Sequence, residues 1–177
     1  MIPSVFLDKQ QLIEQELKFG NYSKKVFSSD ESDKVLEIVW ERGIKEAKKL
    51  KTNDIINLIS EENIMVEISK KNYIFNYIVF SEYNKEKNKI ILYEKPIKEI
   101  FIPSIPEKFF DWCNYNKVVK LFLCHEYFHY LEINYIGLTN EKIKTYTTLG
   151  FFKVKVKLKA FSEIAAHAFV KEFYDIW

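Results

Sequence analysis

Arginine is almost missing from this chain: Arg42 is its sole representative among 27 lysines and arginines. The forked, bidentate contacts by which proteins read base edges have almost nothing to draw on. The formal net charge of +2 over 177 residues is too small to argue for a nucleic-acid partner or an anionic membrane surface. Cysteine is scarce too. Cys113 and Cys124 do not make a disulfide framework, so a reduced, cytoplasmic setting is the expectation. Nowhere do about 18 apolar residues run without interruption, which excludes a membrane-spanning helix. Residues 1–8 lack a basic start and a sustained apolar stretch, so no signal peptide is expected. Internal repeats and low-complexity tracts are absent. What is left is an ordinary globular composition, 47% hydrophobic and 29% charged, with a high aromatic share of 16%. That length and balance fit one domain, residues 1–177, able to bury a substantial core.

The hydrophobic period places the elements. Residues 1–20 read as a short helix with Asp8 as cap, Leu12, Ile13, Glu16 and Leu17 at helical spacing, and Gly20 as stop. A polar linker follows over residues 21–30. A stronger helix is predicted from about residue 33 to residue 51, its apolar stripe formed by Leu36, Val39, Trp40, Ile44, Ala47 and Leu50. Thr52-Asn53-Asp54 caps a third helix that runs to Ile59. The period then changes to two. Ile64, Val66 and Ile68 alternate with Met65 and Glu67, residues 73–83 read as a second strand and Lys89–Tyr93 as a third. The last two flank the polar turn 84–88 as a hairpin, so a small antiparallel sheet is expected. Pro96, Pro103 and Pro106 leave room only for short helices near Ile97–Phe101 and Glu107–Trp112. A long helix spans residues 116–135 and ends at Gly137. Phe152, Val154, Val156 and Leu158 lie between Lys153, Lys155, Lys157 and Lys159, an amphipathic strand with a solvated lysine face. An anionic-ligand strip or a flap beside a site is the alternative there. Residues 160–177 close the chain as a helix.

The long helix carries His125-Glu126-Tyr127-Phe128-His129. Residues four apart share a helix face one turn apart, so the two imidazoles can close on a single ion. Glu126 lies about 100° round the helix from His125, where its carboxylate can reach water beside that ion without becoming a ligand. Two neutral nitrogen ligands, an activated water and an adjacent base are what a zinc hydrolase needs. The competing reading is a pair of satisfied core histidines. Against it, the chain has only three histidines, two of them at ligand spacing. The surrounding run from Val118 to Leu131 is apolar enough to make unpaired polar groups costly. Cys124 points away from the ligand face and reads as a small buried hydrophobe.

A catalytic zinc usually has three protein ligands and one open position. In the closing helix Glu163, His167, Val170 and Tyr174 share a face, and Ala165 and Ala166 are small enough to let another helix approach. Glu163 is the expected third ligand. His167, one turn on, either orients a ligand or is the third ligand itself. Glu132, three residues after His129, is a candidate acceptor for a histidine N–H, with a solvated glutamate as the alternative. Tyr174, Tyr146 and Tyr130 are candidates for stabilising an oxyanion.

His-Glu-x-x-His followed by Ser-Glu-Ile-Ala-Ala-His-Ala-Phe resembles the ImmA/IrrE type of zinc metallopeptidase. The resemblance implies an α+β, zincin-like fold with a small antiparallel sheet packed on helices, the histidine helix and a carboxy-terminal ligand helix. It implies His125, His129 and Glu163 as ligands to Zn2+, Glu126 as the base, and a protein or peptide substrate. Some members of that family are regulators encoded with mobile elements that cleave repressor proteins. The chain departs from the family pattern at Cys124, at Tyr127-Phe128 and at His167, where alanine, Leu-Gly and asparagine are common. The metzincin motif, which continues with a glycine and a third histidine, is excluded because Glu132 and Tyr135 hold those positions. The alternative from a different class is a non-catalytic module of the same fold in which zinc only ties helices together.

Overall fold

The first helix begins where its capping chemistry puts it. Asp8 is extended, and its carboxylate accepts from the Gln11 N–H at 2.9 Å, starting α1 (Lys9–Phe19). Such a cap is worth about 1 kcal/mol. Leu12, Ile13, Glu16 and Leu17 are its buried face. Gly20 closes α1 with φ −74°, so no left-handed conformation is needed there. This computed structural model describes residues 2–20, 29–70, 78–143, 145–149 and 152–177, with the backbone alone at 29–32, 145–149 and 152–156. Of the linker expected over 21–30, residues 21–28 lie outside the described residues and residues 29–30 are helical.

Helix α2 (Ser29–Leu50) starts a turn earlier than the apolar stripe suggests. Leu36, Val39, Trp40, Ile44 and Ala47 are buried as expected, and Leu50 is half-buried. Asp54 accepts from the Ile56 N–H at 2.8 Å and opens α3 (Ile55–Glu61).

The sheet differs from the expectation. Strands β2 (Ser81–Asn84) and β3 (Lys89–Tyr93) form the hairpin, but β1 (Met65–Ser69) joins the other side of β3 in parallel, giving the order β1-β3-β2. The sheet is therefore mixed, not antiparallel. With one flank of β3 taken by its hairpin partner, β1 pairs on the remaining flank, where the chain direction makes it parallel. Its alternation also misleads about burial: Met65, Val66 and Ile68 are 56%, 45% and 54% exposed. The sheet's contribution to the core comes instead from Ile90 and Leu92 of β3, both fully buried. Of the strand expected over 73–83, residues 81–83 are strand and 73–77 lie outside the described residues.

The prolines break the next stretch into a π-helical turn, Ile97–Phe101, and a 3-10 turn, Glu107–Trp112. Asn114 then accepts from the Asn116 and Lys117 N–H groups and begins α4 (Tyr115–Leu131). Its last turn widens to π geometry over Glu132–Ile136 and stops at Gly137, where φ is +75°. Arg42 of α2 donates to the Ile136 and Gly137 carbonyls at 2.8 and 2.7 Å, satisfying groups left orphaned at the helix end. An antiparallel hairpin follows, β4 (Thr145–Leu149) with β5 (Phe152–Val156). The alternation over 152–158 foretells β5 but not its partner. Where Lys153 and Lys155 point lies outside the described residues.

The closing helix, α5 (Ala160–Tyr174), is the centre of the structure. Phe161, Ile164, Ala165, Ala166, Ala168 and Phe169 are completely buried. Its small residues do what their size allows. A Cβ placed on Gly43 of α2 would lie 2.1 Å from the Ala165 carbonyl oxygen, so the two backbones touch there. Among the described residues no helix is long and apolar enough to cross a membrane.

Candidate metal centre

Helix α4 presents its two histidines to α5, and Phe128 packs on Phe169 at 5.4 Å between ring centres to hold the pair of helices together. The His125 and His129 Nε2 atoms are 3.2 Å apart. Glu163 meets both: its Oε2 is 3.2 Å from His125 Nε2 and its Oε1 is 3.6 Å from His129 Nε2. For an ion with tetrahedral bonds of about 2.0–2.1 Å, ligand atoms stand about 3.3 Å from one another. The three separations straddle that value. Two imidazole nitrogens and one carboxylate are also the donor set that suits zinc. The residues fit the ion, and among the described residues this is the one group that could hold a metal.

Glu132 is 1% exposed and fully engaged. It receives the His129 Nδ1–H at 3.1 Å on Oε2, and the Thr139 N–H at 2.8 Å and Ser162 hydroxyl at 3.0 Å on Oε1. In the neutral imidazole the bond to Nδ1 leaves the lone pair on Nε2, the nitrogen that faces the centre. Burial alone would push the Glu132 carboxyl up, but the bonds from His129 and Thr139 hold it below its usual value. His129 is the converse. Burial opposes its charge, yet the Glu163 carboxylate and the Glu132 bond raise its pKa well above the ordinary histidine value. Desolvation likewise opposes the charge on Glu163 and is the largest single influence on it, even with the side chain 44% exposed. The two histidines prevail and hold its carboxyl well below the usual range.

Glu126 is 5% exposed, and its Oε1 accepts from the Ser81 hydroxyl of β2 at 2.6 Å. His167 does not join the converging ligand atoms. Its Nε2 lies 3.4 Å from Glu16 Oε1, while its ring packs on His125 with centres 4.7 Å apart. Burial pushes the Glu16 carboxyl up, but His167 and the Ser4 hydroxyl outweigh it and keep the group below its usual value. The tyrosine candidates are committed elsewhere. Tyr130 donates to Glu62, and Tyr174 donates to the Lys120 carbonyl while packing on Trp112. The Tyr146 side chain lies outside the described residues. Cys124 is fully buried, and burial pushes its thiol up.

Ser81, Glu16, Thr139 and Ser162 are partners of the centre that the sequence reading does not foresee. For Glu16 there is a signal: a glutamate on the apolar face of α1 needs a buried partner. Nothing local marks the other three. No family model, curated protein or solved structure matches the chain.

Proposed function

We propose that this chain is a zinc-dependent metallopeptidase that hydrolyses peptide bonds of a protein or peptide substrate in the cytoplasm, a small zincin of the ImmA/IrrE type. The observation that carries the reading is the convergence of His125, His129 and Glu163 at 3.2, 3.2 and 3.6 Å with a glutamate next to the first histidine. Zinc held by these three residues supplies a Lewis acid that polarises a carbonyl and acidifies water toward neutral pH. The rest of the chemistry belongs to the chain. Glu126 takes the proton of the attacking water at its carboxylate and passes it to the leaving amine. Glu132 keeps His129 in the tautomer and orientation a ligand requires. Arg42 fixes the end of the helix on which both sit. A non-catalytic, zinc-stabilised module is the competing reading; a fourth protein ligand would close the site, and His167, with its Nε2 on Glu16, does not join the other three.

Glu126→Gln separates the two. Protein purified without chelator should hold about one zinc per chain in both forms. A peptide library made by digesting a whole proteome, read by mass spectrometry, offers very many sequences at once and so suits an enzyme whose substrate is unidentified. New termini should arise with the native chain and fall by about 10²-fold or more with Glu126→Gln. Full zinc with no new termini from the native chain would favour the module. Equal cleavage by both forms would remove Glu126 from the mechanism.

A further inference from the structure

Three contacts in a row tie the edge strand β2 and the residue before it to one face of α4. Phe80 stacks on Phe122 with ring centres 5.6 Å apart, and Tyr83 meets Tyr130 edge-on at 5.6 Å. Phe122, Glu126 and Tyr130 are spaced four apart, hence one above another on the helix. Between the two ring pairs sits the Ser81 hydroxyl, donating to Glu126 Oε1 at 2.6 Å. Among the described residues no other hydrogen bond to the Glu126 carboxylate is formed. Phe80 is further fixed by Phe101, 5.4 Å away, and the backbone of Ser81 by its register with Leu92.

We infer that Ser81 is a positioning residue for the base. A glutamate side chain has three rotatable bonds, and proton transfer needs its acceptor oxygen held in place when water arrives. The bond to Ser81 occupies Oε1 and fixes the carboxylate plane, leaving Oε2 as the oxygen that takes the proton. The flanking ring pairs hold the donor, so the base is aligned by the sheet and not by its own helix alone. The inference rests on the peptidase reading, because it assigns Ser81 a role only through Glu126.

The test uses cobalt(II) in place of zinc, since its visible absorption responds to water and hydrogen bonding at the metal. Native chain, Ser81→Ala, Ser81→Thr, Glu126→Gln and the Ser81→Ala/Glu126→Gln double variant are compared at one pH. Each should hold one cobalt per chain. Glu126→Gln should move the bands, Ser81→Ala should move them in the same direction, and Ser81→Thr, which restores the hydroxyl, should leave the native spectrum. The double variant should match Glu126→Gln alone, because both changes act on one interaction. On any substrate cut by the native chain, Ser81→Ala should lower kcat about 10-fold with KM unchanged, again rescued by threonine. A native spectrum for Ser81→Ala, or additive shifts in the double variant, overturns the inference. So does a Glu126→Gln spectrum identical to the native one. Failure of the native chain to take up cobalt is a different result: it removes the metal centre, and the inference with it. If Ser81→Ala does not fold, Ser81→Val, which has the branched shape of threonine without the hydroxyl, carries the same comparison against Ser81→Thr.

Discussion

Gly43→Ala should damage both the fold and the metal centre, through one methyl group. Its Cβ would stand 2.1 Å from the Ala165 oxygen, 2.9 Å from the Phe169 nitrogen and 3.0 Å from the Ala165 carbonyl carbon, all backbone atoms that no rotamer change can move. Ordinary contact begins at 3.4 Å, so α2 and α5 must part by 3.4 − 2.1, or about 1.3 Å, along that line. A gap of about 0.5–1 Å already forfeits a quarter to a half of each contact's attraction. Overpacking of this kind costs about 1–3 kcal/mol and sometimes more, against which alanine's better helix propensity returns about 1 kcal/mol. With the clash on rigid backbone the upper end applies, a net loss of about 2–3 kcal/mol. For a chain of this size each kcal/mol moves Tm by about 2–4 °C, so calorimetry with chelator present should show a fall of about 4–12 °C. Ala165 is two residues beyond Glu163, and metal ligands tolerate only about 0.2 Å of displacement. Zinc affinity, measured by competition with a chromophoric chelator, should therefore drop at least about 10-fold. An unchanged or higher Tm, as alanine gives in place of an exposed helical glycine, would show that α2 does not lie backbone-to-backbone on α5.

Two further predictions concern buried charges. Glu132→Ala should weaken zinc binding by about 10- to 100-fold and lower chelator-treated stability by more than 1 kcal/mol, because it frees His129 to rotate and orphans the Thr139 N–H and Ser162 hydroxyl. Zinc titration and calorimetry read the two effects, and unchanged affinity would deny Glu132 its orienting role. Lys171 is buried with its ammonium donating to the Val5 and Leu7 carbonyls at 3.2 and 3.0 Å, and burial, with Lys108 nearby, lowers its pKa from 10.5 to about 8. A lysine depressed in the folded state binds its proton more weakly there than in the unfolded chain, so stability rises as pH climbs from about 8 toward 10.5. The two carbonyl bonds moderate the effect to about 1–2 kcal/mol by pH 10, and Lys171→Met should lose that rise in denaturant titrations. A variant whose stability follows the native pH curve would refute the assignment.

Helices are the most legible part of this chain, since both their faces and their caps are written within a few residues. Asp8 and Asp54 cap the helices that they precede in the sequence pattern, and Gly137 ends α4 in the left-handed region where glycine is favoured. The π turn over 132–136 leaves no pattern of its own in the apolar spacing. Strand pairing is less legible. Alternation marks a strand and suggests which face is apolar, but it carries no information on which neighbour the strand joins. Thus β1 is recognisable while its parallel pairing and its exposed Met65, Val66 and Ile68 are not. The β4 partner of the lysine-rich strand, rich in threonine and without alternation, gives no comparable signal.

The candidate centre divides along the same line. His125, Glu126 and His129 relate to one another through a single helix turn, and Glu163 through the motif that places it on a second helix. The groups that hold them relate only through the fold: Ser81 is 45 residues from Glu126, and Ser162 is 30 from Glu132. No period connects such pairs. Yet one half of each relation is present, because a charged residue at a core position has to find a partner or pay for desolvation. Glu16 sits among Leu12, Ile13 and Leu17, Glu132 follows the buried Leu131, and Lys171 lies between Val170 and Phe173; all three are buried and all three are hydrogen-bonded. In a sequence of this kind the polar residue that interrupts an apolar face marks where the fold must supply a second residue. The identity of that second residue follows only once the packing of α1, α4 and α5 is known.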